Sequence, residues 1–228
     1  MYILHIANKN YSSWSLRPWA LLKELKIPFK EEISPFSAGS NWDEFRGFSP
    51  TGLVPCLVDD KLQIWDSLAI AEYLAEKHPE VWPQETDARA WARCAAAEMH
   101  SGFPALREQC SMNCGLRVKL NNVDEHLQKD ISRIDELWNE GLRRFRGPFL
   151  AGGKFSAVDA FYVPVAFRIR TFGLELSAAA LEYADLLLSL ESIRAWEASA
   201  LKETWREPAH EQDSIRSGVL IEDFRTVI

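Results

Sequence analysis

No cysteine precedes Cys56 in this chain. The four it has, Cys56, Cys94, Cys110 and Cys114, form neither a CxxC pair nor a metal-ligand spacing with histidine. An amino-terminal redox dithiol is thereby excluded, no metal is expected, and reduced thiols in the cytoplasm are the expected state. No segment approaches 18 apolar residues, so no membrane-spanning helix is expected. The start Met1-Tyr2-Ile3-Leu4-His5 lacks the charged and then apolar pattern of a signal peptide. No Lys/Arg run relieves the net charge of −7 and the pI near 5.3, which speaks against a nucleic-acid binder that works by neutralising phosphates. Internal repeats and low-complexity tracts are missing as well.

An apolar fraction of 47%, with nine Trp and twelve Phe, excludes disorder, and 228 residues can hold one large or two modest domains with a sizeable core. The most informative stretch is Tyr11-Ser12-Ser13-Trp14-Ser15-Leu16-Arg17. It follows an apolar run with strand character, Tyr2 to Ile6, and precedes helical spacing from Trp19 to Leu25. Hydroxyls therefore crowd a strand-to-helix turn, where free backbone N–H groups and the helix dipole stabilise an anion and a serine could donate to it. Capping accounts for one of these serines. Pro18 belongs in a first helical turn, which marks Ser15 as the N-cap and leaves Ser12 and Ser13 without a structural task.

Further along, Ile27-Pro28 ends the helix and Phe29 to Ile33 reads as a second strand, completing a βαβ unit. A loop rich in Ser, Gly, Asn and Pro follows, with a short helix near Asn41 to Arg46. Cys56 to Val58 and Leu62 to Trp65 flank the polar turn Asp59-Asp60-Lys61 as a hairpin, and Asp66-Ser67 opens a helix from Leu68 to Lys77. This order, βαβ then ββα, is the plan of the thioredoxin fold. Pro55 before a strand allows either a cis bond or a trans edge-strand proline. After the prolines at 79 and 83 the strands give way to helices: Ala88 to Cys110, Val123 to Phe145, Ala157 to Thr171 and one or two between Ala178 and Leu201. Ser156 and Asp159 read as a capping box, and Phe161, Tyr162, Val165 and Ile169 as central core. The tail beyond Trp205 lacks periodicity and is expected to pack loosely. The expected fold is thus α/β plus all-α: residues 1–79 thioredoxin-like, 80–86 a linker, and 87–228 an all-helical domain.

Taken in order, Ser12-Ser13-Trp14-Ser15-x-Arg17, Leu53-Val54-Pro55, Asp66-Ser67 with Ile70-Ala71-x-Tyr73-Leu74, and Gly152 to Asp159 resemble the cytosolic glutathione S-transferases over essentially the whole chain. The resemblance implies glutathione as co-substrate, no metal, a homodimer and a serine-type mechanism of the zeta, phi or theta kind. Ser12, five residues before Arg17, stands where such members carry the hydroxyl that stabilises the glutathione thiolate, with Ser13 as the alternative. Val54 before Pro55 would pair with the cysteinyl backbone, and Asp66 and Ser67 would hold the γ-glutamyl end. Trp14, Met99, His100 and Phe103 are the residues expected at the electrophile pocket.

Two departures bear on the activity. The zeta-like isomerases, which act on maleylacetoacetate, carry cysteine where Trp14 stands, and the omega- and beta-like members carry a cysteine near this turn. The expected reaction is therefore attack of the thiolate on a small electrophile, with an isomerase on the same scaffold, or a non-catalytic interaction module, as the alternatives. No residue matches the family's usual ligand for the glycine carboxylate; Arg46 is the nearest basic side chain to that loop.

Overall fold

The computed structural model describes residues 1–226. Its first sheet is built from β1 (Tyr2–Ile6), β2 (Phe29–Ile33), β3 (Cys56–Asp59) and β4 (Leu62–Trp65) in the order β2-β1-β3-β4. β1 runs parallel to β2, with Tyr2 opposite Phe29 and Ile6 opposite Ile33, whereas β3 is antiparallel to both β1 and β4. In β1, Tyr2, Leu4 and Ile6 are buried while Ile3 and His5 are only partly so, the alternation of a strand with one face on a core. Helices α1 (Ser13–Glu24) and α3 (Ser67–Ala75) complete the thioredoxin-like unit, and a short α2 (Trp42–Arg46) lies in the loop before β3. The Val54–Pro55 peptide is cis.

α1 begins earlier than Pro18 implied. Its N-cap is Ser12, not Ser15, and Pro18 sits inside the helix. Lacking an N–H, Pro18 leaves the Trp14 carbonyl without its intrahelical donor, a loss that the fully buried flanks Leu16, Ala20, Leu21 and Leu22 outweigh by packing.

The second domain carries α4 (Thr86–Ser101), α5 (Pro104–Gln109), α6 (Glu125–Phe145), α7 (Ala157–Phe172), α8 (Ala178–Ser189), α9 (Glu191–Lys202) and α10 (Pro208–Ile215). The single helix expected from Ala88 to Cys110 is two. Pro104 has no N–H with which to continue α4 and suits a first helical turn, so it starts a new helix, and Phe103 before it takes a left-handed φ of 59°. The domain is helical but not all-helical: β5 (Leu116–Leu120) pairs antiparallel with β6 (Gly218–Asp223). The tail packs at a few points only: Ser214 is fully buried and the Arg225 side chain lies between Glu211 and Asp223, whereas Val219, Leu220, Ile221 and Phe224 are exposed.

α7 is the axis of the core. Phe161, Tyr162, Val165 and Ile169 are all buried, and α7 packs against α1, α4 and α8, so it joins the two domains. Its start is fixed by Asp159, which is fully buried and accepts from the Ser156 N–H at 2.9 Å, the Leu150 N–H at 3.0 Å and the Tyr183 hydroxyl at 2.8 Å. On α6, Leu127, Ile131, Ile134 and Trp138 form the buried stripe that three- and four-residue spacing implies.

Candidate active site

A cleft of about 300 Å³ opens beside the sheet, lined by Trp14, Thr51, Leu53, Val54, Pro55, Trp65, Asp66 and Ser67. Three separate stretches of sequence thus converge: the start of α1, the loop into β3, and the start of α3. Asp66 is the N-cap of α3 and holds a strained φ of 74°. Its Oδ1 accepts from the Leu68 N–H at 2.7 Å and the Ala69 N–H at 3.4 Å, while its Oδ2 faces His100 Nε2 of α4 at 3.5 Å. Ser67, 1% exposed, accepts at 3.3 Å from Nη1 of Arg17.

Arg17 is itself 1% exposed. Its guanidinium stacks 4.0 Å from the centroid of Trp14 and 4.9 Å from that of Phe161, and its Nε is buried with no partner. Burial holds its pKa well below the usual arginine value, and the neighbouring Arg107 and Arg168 lower it further. Arg107, whose guanidinium lies 5.0 Å from Trp14, and Arg168 instead spend their N–H groups on carbonyls: Arg107 on Gly102 and Met99, Arg168 on Cys110 and Pro164. Burial also lowers His100, more than the attraction of Asp66 raises it.

The two serines of the turn have different settings. Ser12 donates to Ser15 Oγ at 2.7 Å, and Ser13 accepts from Arg168 Nη2 at 3.4 Å. Both are buried, at 5% and 6% exposure, and neither is among the residues lining the cleft. The loop before them is pinned from the second domain. Glu203 accepts the Lys9 N–H at 2.7 Å and the Asn10 N–H at 3.2 Å, Trp196 donates to the Lys9 carbonyl at 2.9 Å, and Tyr11 donates to Glu211. Asn10 Oδ1 accepts from the N–H groups of Cys114 and Gly115.

Of the residues expected from sequence, Trp14, Val54, Pro55, Asp66 and Ser67 meet at the cleft. His100 stands beside it, edge-on to Trp14 at 5.3 Å. Met99 and Phe103 do not join them: Met99 is fully buried and Phe103 5% exposed, both within the hydrophobic core, because those faces of α4 and of the α4–α5 break turn inward. Arg46 is exposed and stacks on Trp42. Glu203, Glu211 and Trp196 carried no local signal, since their partners lie at the other end of the chain. Among the described residues no group of three or more His, Cys, Asp or Glu is placed to hold a metal, and no helix is long and apolar enough to cross a membrane.

Residues 11–77 match the family model for the glutathione S-transferase N-terminal domain, and residues 95–199 the one for the C-terminal domain. The chain belongs to the glutathione S-transferase family. It is 30% identical over 173 residues to Glutathione S-transferase 1 of Dianthus caryophyllus, covering 72% of this chain and 76% of that one. It is 28% identical over 178 residues to the probable maleylacetoacetate isomerase 2 of Drosophila melanogaster, covering 76% and 77%. A glutathione transferase homolog from Burkholderia GL BGR1, crystallised with bound glutathione, shares the fold with a TM-score of 0.66 at 20% identity over 87% of this chain and 97% of that one. The cleft belongs to the N-terminal domain of this family member, and His100 of the C-terminal domain stands beside it, facing Asp66.

Proposed function

We propose that this chain is a glutathione transferase that binds glutathione in the cleft and activates its thiol for attack on a small electrophile. The observation that carries the reading is the convergence of Val54 and Pro55 with the capped α3 N-terminus, Asp66 and Ser67, on one cleft that Trp14 of α1 closes. Val54 would meet the cysteinyl backbone, and Asp66 with Ser67 the γ-glutamyl end. The sulfur would then point toward the start of α1, where the hydroxyl of Ser12 or Ser13 stabilises the thiolate. The electrophile would approach past Trp14 and His100.

The chemistry needs little machinery. A free thiol near 8.5 brought to about 6.5 requires about 2.7 kcal/mol of preference for the thiolate. One hydrogen bond to a charged group supplies about 1.5–3 kcal/mol, and a helix N-terminus adds about 0.3–1 kcal/mol. No metal or acid–base dyad is called for. The family habit of dimerising and a cytoplasmic location are parts of the same proposal.

The likeness to a named maleylacetoacetate isomerase supports isomerisation as the second reading, and the indole of Trp14, where zeta-like isomerases carry a thiol, weighs against it. The test is calorimetry with ultraviolet difference absorbance near 240 nm across pH, on wild type, Ser12→Ala and Ser13→Ala. Conjugation of chlorodinitrobenzene and isomerisation of maleylacetoacetate are assayed on the same samples. Thiolate formed below pH 7 and lost in one serine variant is the expected result. No binding at millimolar glutathione would sink the enzymatic reading and favour an interaction module.

A further inference from the structure

Asp66 is the single charged residue among the described residues that line the cleft, and Leu53 and Trp65 line it with apolar side chains that remain 64% and 45% exposed. The basic groups nearby are held elsewhere. Arg46 stacks on Trp42 at 5.4 Å and does not reach the lining, Arg17 lies buried behind Ser67, and Arg107 donates to the carbonyls of Gly102 and Met99. The side-chain polar group that the loop into β3 gives the cleft is the Thr51 hydroxyl, 3.2 Å from Ser49 Oγ, which can donate or accept.

On the reading that the cleft takes glutathione, with the γ-glutamyl end on Asp66 and Ser67 and the sulfur toward α1, the glycine end is left to Thr51, Leu53 and Trp65. A carboxylate laid against Leu53 and Trp65 loses water there and gains no cation in return. It would also share the cleft with the Asp66 carboxylate and the developing thiolate, within about one screening length of roughly 8 Å, in a chain of net charge −7. An amide at that end carries no charge and can exchange hydrogen bonds with the Thr51 hydroxyl in either sense. We infer that Leu53 is a specificity-determining residue through which the cleft favours γ-glutamyl-cysteinyl thiols whose carboxyl end is uncharged, as an amide or an ester, over glutathione itself.

The test is calorimetry with glutathione and with γ-glutamyl-cysteinyl-glycinamide, which has nearly the same shape and lacks the charge at that end. Wild type is expected to bind the amide about twofold or more tighter. Equal affinity, or tighter binding of glutathione, would overturn the inference. Leu53→Lys puts a cation on the same wall and is expected to shift the ratio toward glutathione by about two- to fivefold, the weight of an exposed ion pair. Leu53 is largely exposed, so the fold should tolerate the change. An unchanged ratio in Leu53→Lys would show that the glycine end lies elsewhere, which also overturns it. Arg46→Ala is expected to leave both affinities as they are; a loss on glutathione alone would make Arg46 the partner of that carboxylate and overturn the inference as well. Wild type that binds neither thiol is a separate result, which removes the transferase reading and this inference with it.

Discussion

His100 Nε2 of α4 lies 3.5 Å from Asp66 Oδ2 at the start of α3, so the second domain touches the cleft through an imidazole facing a carboxylate. Burial lowers the His100 pKa, against the pull of Asp66 and with the help of Arg17 and Arg107. The unfolded chain protonates this residue near 6.5, the folded one only at lower pH. The unfolded state therefore binds more protons as pH falls through that window, and stability is lost on acidification. Urea unfolding at several pH values should show a smaller loss below pH 6.5 for His100→Gln than for wild type. A larger loss in the variant would mean that the attraction of Asp66 dominates.

Asp159 titrates in the opposite sense. Burial pushes it from the ordinary 3.8 to about 6, despite the donors around it. The folded state thus holds its proton more tightly, and this residue adds stability as pH falls from about 6 toward 3.8, by about 3 kcal/mol in full. Asp159→Ala should lack that gain. At pH 7 it should also be about 3 kcal/mol or more less stable, since Leu150, Ser156 and Tyr183 lose their acceptor. Equilibrium denaturation at pH 7 and pH 5 measures both effects.

Thiol reactivity should be confined to one residue. Cys94 is exposed, whereas Cys56, Cys110 and Cys114 are buried. Burial raises Cys56 to about 11 and Cys110 to about 12, and Cys114 rises too. Ellman's reagent on native protein at pH 8 is expected to titrate one thiol quickly and all four only in denaturant. Cys94→Ser should abolish the fast phase.

Glu203→Ala should loosen the loop ahead of α1 without touching the cleft. Two buried N–H groups, on Lys9 and Asn10, lose their acceptor, at a cost of about 2 kcal/mol or more. Hydrogen exchange should show faster exchange at those two amides, with the β1–β2 pairing still protected. Unchanged exchange at Lys9 would mean that the loop holds itself.

The first domain was legible because its signals are local. The apolar, β-branched and aromatic run of Tyr2 to Ile6, the Ile27-Pro28 stop and the Asp66-Ser67 cap each act within a few residues, and each produced the element expected. Pro18 misled because a proline rule for isolated helices ignores how well Leu16 to Leu22 pack. Met99 and Phe103 misled because the resemblance places the pocket along the first long helix and not on a particular face of it, and their faces turn into the core. Alternation in Leu116-Arg117-Val118-Lys119-Leu120 was a usable strand signal for β5, but its partner β6 lies about a hundred residues away. The setting of Ser13 was beyond reach for the same reason, since Arg168 reaches it across 155 positions.

The clasp of Glu203 on Lys9 also has a place in time. The two residues are separated by 194 positions, so during synthesis at typical elongation rates the Lys9 amide emerges about ten to forty seconds before its acceptor exists. The sheet and α1 can form on the growing chain, but the loop that aims the serine turn stays unfastened until the final helices arrive. A nascent first domain would hold the fold of the finished one and not yet its fixed site.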